Sequence, residues 1–206
     1  MTDNELPGDS HKLVERARAG DPQAIASLLG LCRNYLLLLA RVHIDSHLQA
    51  KADPSDLVQE TCLMAARDLP RFRGATEAEF VAWLRQIMAN AGAAMIRKFK
   101  GTQTRNICRE EQFERRLEQS SINLERLITA PISSPSRIAS RREAAVVLAD
   151  TLSRLPAEYR DVIVMFHLEG LSLQEIATRM SRTTASVRGL RTRAILKLRT
   201  FMRELA

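Results

Sequence analysis

The C-terminal part of the chain carries two amphipathic patterns separated by a short turn. Ser172 followed by Glu175 has the spacing of a capping box, which predicts that a helix begins there. After a turn at 181–183, Thr183 or Thr184 can cap a second helix. Four apolar residues recur on one side of this second helix at steps of three and four, namely Val187, Leu190, Ala194 and Leu198. Two helices joined this closely predict a helix-turn-helix over about 172–199.

The opposite side of the second helix is polar and basic. In a helix-turn-helix this side enters the major groove of duplex DNA. From residue 172 to residue 206 there are eight Lys and Arg against two Glu, which gives +6 of the chain's net +7. We therefore predict a surface that binds duplex DNA. Its residues are Thr184, Ala185, Ser186, Arg188, Gly189, Arg191, Thr192 and Arg193.

The rest of the chain has the composition of a helical protein. The 206 residues are 45% hydrophobic but only 4% aromatic, and no segment alternates as a strand does. A Pro- and Ser-rich stretch at 129–140 lacks periodicity, so it is the best candidate for a boundary. We predict an all-α protein of two small helical domains, 1–128 and 141–206, joined by a flexible linker.

Further helix ends can be placed by local rules. Gly20, Asp21 and Pro22 combine a helix stop, a cap and a first-turn proline, and Asp53-Pro54 repeats the cap and proline. Capping boxes are expected at Thr76–Glu79 and Ser140–Glu143. Gly170 should end the helix before the helix-turn-helix, and a charged helix covers about 108–128.

The first turns of the helix predicted after Asp53 are rich in acidic residues. Asp53, Asp56 and Glu60 lie there with Gln59. Acids favour helix N-termini because of the helix dipole, which is a sufficient structural reason. The alternative is a docking face for a basic surface of another protein.

A second basic segment lies in the N-terminal part. From Arg85 to Arg109 there are six Arg and Lys and no acid. Trp83 lies on the same predicted helix, and an aromatic ring beside cations can stack on unpaired bases. A single Trp on a helix can equally belong to the core. Both interpretations remain open on the residues alone.

Other chemistry is not indicated by the residues. The odd number of cysteines, Cys32, Cys62 and Cys108, and the absence of a CxxC pair favour unpaired thiols of a reducing compartment. His43 and His47 have a metal-ligand spacing but no evident third ligand, so no metal site is expected. No catalytic or phosphate-binding motif occurs. We expect a cytoplasmic protein that is no enzyme, uses no cofactor and has no apolar stretch long enough to span a membrane.

Two parts of the chain, taken together, resemble a known family. The first is DPSDLVQETCLMAARDLPRFRG at 53–74 with AEFVAWLRQIMANAGAAMIRKFK at 78–100, which is similar to region two of bacterial sigma factors of the extracytoplasmic-function (ECF) class. The second, LSRLPAEYRDVIVMFHLEGLSLQEIATRMSRTTASVRGLRTRAILKLR at 152–199, is similar to region four. Ser181-Arg182 in the turn, and Ile195-Leu196 after the DNA residues, depart from the commoner pattern.

The resemblance implies a role for each surface. It implies that core RNA polymerase is bound by Asp56, Leu57, Gln59 and Glu60. It implies that the −10 element is opened and held by Trp83, Arg85, Asn90, Arg97, Lys98 and Lys100, within a core motif at about 53–109. The helix-turn-helix would read the −35 element, and the linker would run toward the polymerase active centre. Whether an anti-sigma protein also binds stays open.

The resulting hypothesis is a polymerase specificity subunit that recognises promoters and promotes DNA melting. A helix-turn-helix regulator that acts alone, with a helical sensing or dimerisation domain, is the alternative. It would bind operator DNA tightly by itself, whereas a sigma factor needs polymerase. An enzyme acting on nucleic acid is the third hypothesis, and it is disfavoured because a catalytic cluster is missing.

Overall fold

The computed structural model describes residues 10–43, 53–99, 113–120, 122–123 and 141–204, and the regular elements in these ranges are helical. In the first part lie α1 (Ser10–Arg18), α2 (Pro22–His43), α3 (Pro54–Asp68), a 3₁₀ turn (Leu69–Arg71), α4 (Glu77–Phe99) and α5 (113–120). In the second part lie α6 (Arg141–Arg154), α7 (Ala157–Ile163), a π-helical turn (Val164–Leu168), α8 (Leu173–Arg179) and α9 (Thr184–Glu204).

The helices of the first part begin where the local rules place them. Gly20 has φ +89°, and the Asp21 carboxylate accepts hydrogen bonds from the backbone of Gln23 and Ala24 at 2.9 and 3.3 Å. The Asp53 carboxylate caps α3 by accepting from the Ser55 N–H at 2.8 Å, with a proline in the first turn. These two helix starts are confirmed.

The break between α3 and α4 is closed by a second capping box and by aromatic packing. The Thr76 hydroxyl accepts from the Glu79 N–H, and the Glu79 carboxylate accepts from the Thr76 N–H, which confirms the box. Phe72 follows the 3₁₀ turn and is buried, 5.7 Å from the Phe80 ring. The break therefore has a packed apolar interior. The box predicted at Ser140 lies outside the described residues.

Helix α2 is the centre of the first part. It packs against α1, α3 and α6, and Tyr35, Leu36 and Leu39 on it are fully buried. By length and composition alone this helix is long and apolar enough to cross a membrane, contrary to the expectation from the sequence. Nine of its residues are nevertheless buried inside the protein, which is the arrangement of a core helix.

Helix α6 contacts both parts of the chain. It packs against α2 and α4 on one side and against α9 on the other. The Asn34 amide donates to the Asp150 carboxylate at 2.9 Å, and the Thr151 hydroxyl lies 3.3 Å from the Met202 sulfur. The proposed boundary at 129–140 lies outside the described residues, so the domain division itself remains a prediction.

The second part is built around α9. Its predicted apolar stripe is confirmed, because Val187, Leu190, Ala194 and Leu198 are all buried. α9 packs against α7 and α8. Gly170, at φ +72°, follows the π-helical turn and redirects the chain into α8, as expected for a helix stop.

Candidate functional site

The exposed side of α3 carries the acidic group. Asp56, Gln59 and Glu60 are exposed, and all three lie on one face at helical spacing. Asp53 is engaged differently, because its carboxylate caps the helix. Hydrogen bonds from the hydroxyl and then the backbone N–H of Ser55 lower the pKa of Asp53. The docking hypothesis therefore rests on the three exposed residues.

Leu57 does not belong to this exposed face. Its side chain is 0% exposed in the core between α3 and its neighbours, so the expectation that it contacts polymerase directly needs correction. Leu57 lies on the stripe with Thr61 and Ala65, both of which are also buried. The period of the helix places it inward, and its contribution is to hold α3 in position.

Leu63 is a residue of this face that the sequence analysis missed. It is 68% exposed and lies one turn beyond Gln59 and Glu60 on the same side of α3. A large apolar side chain between Glu60 and the exposed Arg67 provides a mixed contact surface. The spacing of three residues from Glu60 and four from Gln59 was the available indication.

The six residues assigned to the −10 element are not equivalent in the structure. Asn90 and Arg97 are exposed on one side of α4. Trp83 is half-buried, with its ring centroid 5.0 Å from Phe72 and 5.6 Å from Phe80. Packing against the core is therefore the observed role of Trp83, while its remaining exposed surface stays available to a partner.

The basic residues of α4 also differ in exposure. The Arg85 side chain is only 15% exposed, and its Nη2 lies 3.8 Å from the Glu118 carboxylate of α5. The side chain of Lys98 and the whole of Lys100 lie outside what the structure describes. Among the described residues, Arg97 is the exposed cation of the six.

The helix-turn-helix is fixed by two caps and a left-handed turn residue. The Ser172 hydroxyl accepts from the Glu175 N–H, and the Glu175 carboxylate accepts from the Ser172 N–H at 2.8 Å. Hydrogen bonds from the Ser172 hydroxyl and N–H lower the pKa of Glu175. Ser181 turns the chain at φ +53°, and the Thr183 hydroxyl accepts from the Ser186 N–H at 3.2 Å. The capping box is confirmed, and of the two threonines considered, Thr183 is the cap.

The outward side of α9 contains the predicted duplex-DNA residues. Ala185, Arg188, Thr192 and Arg193 are exposed, while Thr184, Ser186 and Gly189 are half-buried. The Thr184 hydroxyl donates to the Gln174 side chain at 2.9 Å, which ties the start of α9 to α8. Arg188 and Thr192 lie one turn apart on the outward side, as the phase of the stripe predicts.

Arg191 is placed differently from the expectation. Its guanidinium carbon lies 4.2 Å from the centroid of the Phe166 ring, and its Nε is buried without a hydrogen-bond partner among the described residues. The cation thus stacks on a ring of the π-helical turn. Arg191 therefore contributes to packing, and its assignment to the DNA surface stays a prediction.

The described residues hold no cluster of three or more His, Cys, Asp or Glu side chains that could bind a metal ion. His43 is buried, and burial followed by the positive charge of Arg116 lowers its pKa to about 4. His47 and Cys108 lie outside the described residues. Cys32 is buried, and burial also raises the pKa of the Cys62 thiol, which keeps it protonated near neutral pH.

Two family models match the chain, one in each of its two parts. A model described as sigma-70 region 2 matches residues 28–101, which run from α2 to the end of α4. A model described as sigma-70, region 4 matches residues 145–198, from α6 into α9. Together they cover the acidic face of α3, the described surface of α4 and the helix-turn-helix.

Relatives along most of the chain carry related names. The chain is 27% identical to the ECF RNA polymerase sigma-E factor of Haemophilus influenzae, over 85% of this chain and 86% of the relative. It is 26% identical to the ECF RNA polymerase sigma factor SigD of Mycobacterium tuberculosis, over 91% and 81%. A solved structure of CnrH in complex with the cytosolic domain of CnrY is 24% identical over 96% of this chain and 99% of that one, with a TM-score of 0.33.

Proposed function

The chain belongs to the ECF class of RNA polymerase sigma factors, and from this premise we propose which of its surfaces contact polymerase and DNA. As a sigma factor, it binds core RNA polymerase and promoter DNA and serves in transcription initiation. A sigma factor is a specificity subunit without catalytic activity of its own. The regulator that acts alone is not favoured, because region 2 and region 4 matches occur together.

The observation that carries the assignment is the separation of charge over the matched regions. Asp56, Gln59, Glu60 and the apolar Leu63 form one exposed face on α3. Arg67 near the end of α3 is also exposed, but it is ion-paired with Asp68 at 3.0 Å. The exposed cations that we assign to DNA lie on other helices, Arg97 on α4 and Arg188 and Arg193 on α9. An acidic face suits a basic protein surface, whereas the basic faces suit nucleic acid. We assign α3 to polymerase and the two basic helices to DNA.

On α4, the exposed Asn90 and Arg97 suit contact with a single DNA strand. An amide can hydrogen-bond the edge of an unpaired base, and a guanidinium can bind a phosphate with two parallel hydrogen bonds. Trp83 supports this surface by packing on Phe80 of the same helix and on Phe72 of the preceding segment, and the exposed part of its ring borders the surface. This face is our candidate for holding the −10 strand.

On α9, Arg188 and Thr192 suit base contact in the major groove, and Arg193 suits phosphate contact beside it. Arg is the commonest side chain to read guanine through two hydrogen bonds. The caps at Ser172 and Thr183 hold the two helices in fixed relation, so these side chains are presented on a rigid element. This face is our candidate for reading the −35 element, in the cytoplasm where the polymerase acts.

The polymerase face is tested by charge reversal. Asp56→Arg combined with Glu60→Arg should weaken binding to purified core polymerase by more than tenfold, because attraction becomes repulsion across the interface. The matched control is Glu15→Arg with Glu204→Arg, which makes the same change in net charge at exposed acids on α1 and α9.

The readout is the affinity of the labelled full-length protein for core polymerase, with circular dichroism to show that each variant remains helical. Loss of affinity in the α3 variant alone supports the assignment. Equal affinity of the two folded variants would show that polymerase is bound elsewhere.

A further inference from the structure

Helix α5 lies against α4 on the side next to the proposed −10 face. Phe113 and Leu117 on α5 are buried. The Phe113 ring occupies the space that a side chain at position 92 would need, because a Cβ added at Gly92 would collide with it. The Phe113 ring also meets the His43 ring edge-on at 6.2 Å. The absence of a side chain at Gly92 thus lets α5 approach α4 closely.

Two carboxylates of α5 reach the edge of α4. The Gln86 amide donates to the Glu114 carboxylate at 3.2 Å, and Arg85 Nη2 lies 3.8 Å from the Glu118 carboxylate. Phe113 and Leu117 anchor the helix, so the backbone that carries these carboxylates is held in place. α5 is neutral as a whole, because Arg115 and Arg116 balance its two acids, but its two carboxylates border a surface that we assign to a polyanion.

The contact divides α4 lengthwise. Arg85 and Gly92 are seven residues apart and lie on the side that α5 covers. Asn90 and Arg97, also seven residues apart, lie on the adjacent exposed side. Seven residues are close to two helical turns, so each pair marks one stripe. Arg85 thus belongs to the covered stripe, which lies about a third of a turn around α4 from the exposed stripe.

We propose that Glu118 is an internal competitor of DNA phosphate for Arg85, so that capture of the −10 strand requires Arg85 to exchange a carboxylate of its own chain for a phosphate. The proposal rests on the assignment of α4 to the −10 strand. The exchange replaces one charge-assisted contact with another and needs no unfolding of α5. An ion pair with a partly exposed carboxylate at 3.8 Å is weak enough to be displaced.

The test removes the competing charge and keeps the shape of the side chain. Glu118→Gln should raise the affinity of the reconstituted holoenzyme for fluorescein-labelled, random-sequence single-stranded DNA by about two- to fivefold. Glu204→Gln is the matched control, since it removes the same charge at an exposed position far along α9, and should leave that affinity unchanged. In an Arg85→Ala background, Glu118→Gln should have no effect, because the group it competes for is gone.

Each remaining result has a separate meaning. An equal gain with and without Arg85 would show a general charge effect and overturn the proposal. A loss of affinity in Glu118→Gln would make Glu118 a residue that positions Arg85 for DNA, which also overturns it. Arg97→Ala tests the underlying assignment on its own: if it leaves affinity unchanged, α4 is not the −10 surface and both proposals fail. If Arg97→Ala weakens binding but Glu118→Gln has the same DNA affinity as the Glu204→Gln control, only the competition between Glu118 and phosphate is refuted.

Discussion

His43 should make the stability of this protein depend on pH in a defined interval. The side chain is 7% exposed at the end of α2, and its Nε2 is buried without a hydrogen-bond partner among the described residues. Burial, and then the positive charge of Arg116, lowers the pKa of His43 from 6.5 to about 4. The neutral ring is therefore the form that the folded protein accommodates.

The sign of the effect follows from proton binding. Between pH 6.5 and about pH 4 the unfolded chain binds a proton at His43 that the folded chain does not. The contribution of the neutral His43 ring to the free energy of unfolding is therefore fully present above the unfolded pKa. It is lost as the pH is lowered through this interval. With about 1.4 kcal/mol for each pKa unit, His43 alone should cost about 2 kcal/mol between pH 7 and pH 5.

The measurement is urea unfolding of the wild type and of His43→Leu at pH 7 and pH 5, followed by circular dichroism. Leucine fills a similar volume, does not titrate and leaves no unpaired polar atom in the core. Carboxylates titrate in both proteins, so their contribution cancels in the comparison. The wild type should lose about 2 kcal/mol more than the variant on acidification. An equal loss in both proteins would refute the placement of a neutral His43 in this core.

Three further results are expected from the proposed DNA surfaces. Asn90→Ala should reduce permanganate reactivity of thymines near the start site while closed-complex affinity is kept, because it contacts DNA only after the strands separate. Trp83→Ala should lower the free energy of unfolding by about 3 kcal/mol, measured by urea unfolding, since the ring packs on Phe72 and Phe80; a folded, fully stable variant would contradict the packing role. Arg188→Ala should cost about 1–3 kcal/mol of binding free energy on the cognate −35 duplex and relax the preference at one or two base pairs. Arg193→Ala should weaken binding to all sequences alike and lower the slope of log affinity against log salt by about one unit. Both are measured as holoenzyme affinity at two salt concentrations.

Features set by near neighbours in the chain could be predicted from the sequence. The caps at Asp21, Asp53 and Ser172 depend on hydrogen bonds two or three residues away, and these are present as expected. The buried stripe of α9 follows from the 3.6-residue period in the same way. Interactions between near neighbours in the chain therefore suffice to predict these helix starts and the buried face of α9.

The residues whose surroundings differ from the sequence-based predictions make contacts with segments that are distant in the chain. Arg85 is covered by a helix that begins 28 residues later, and Arg191 lies on Phe166 because the π-helical turn brings that ring beneath α9. Neither contact has a pattern in the local sequence. Leu57 is a different case, because its helical phase with Thr61 already pointed inward, and the family resemblance led us to assign the whole motif to one surface.

Transcription in vitro with purified bacterial core polymerase tests the central claim most directly. Fragmented genomic DNA serves as template, and the 5′ ends of the transcripts are sequenced with and without the full-length protein. Addition of the protein should produce discrete start sites that share two upstream motifs, and the Asp56→Arg, Glu60→Arg variant should abolish them. A protein that binds duplex DNA tightly by itself and leaves the pattern of start sites unchanged would contradict the assignment as a sigma factor.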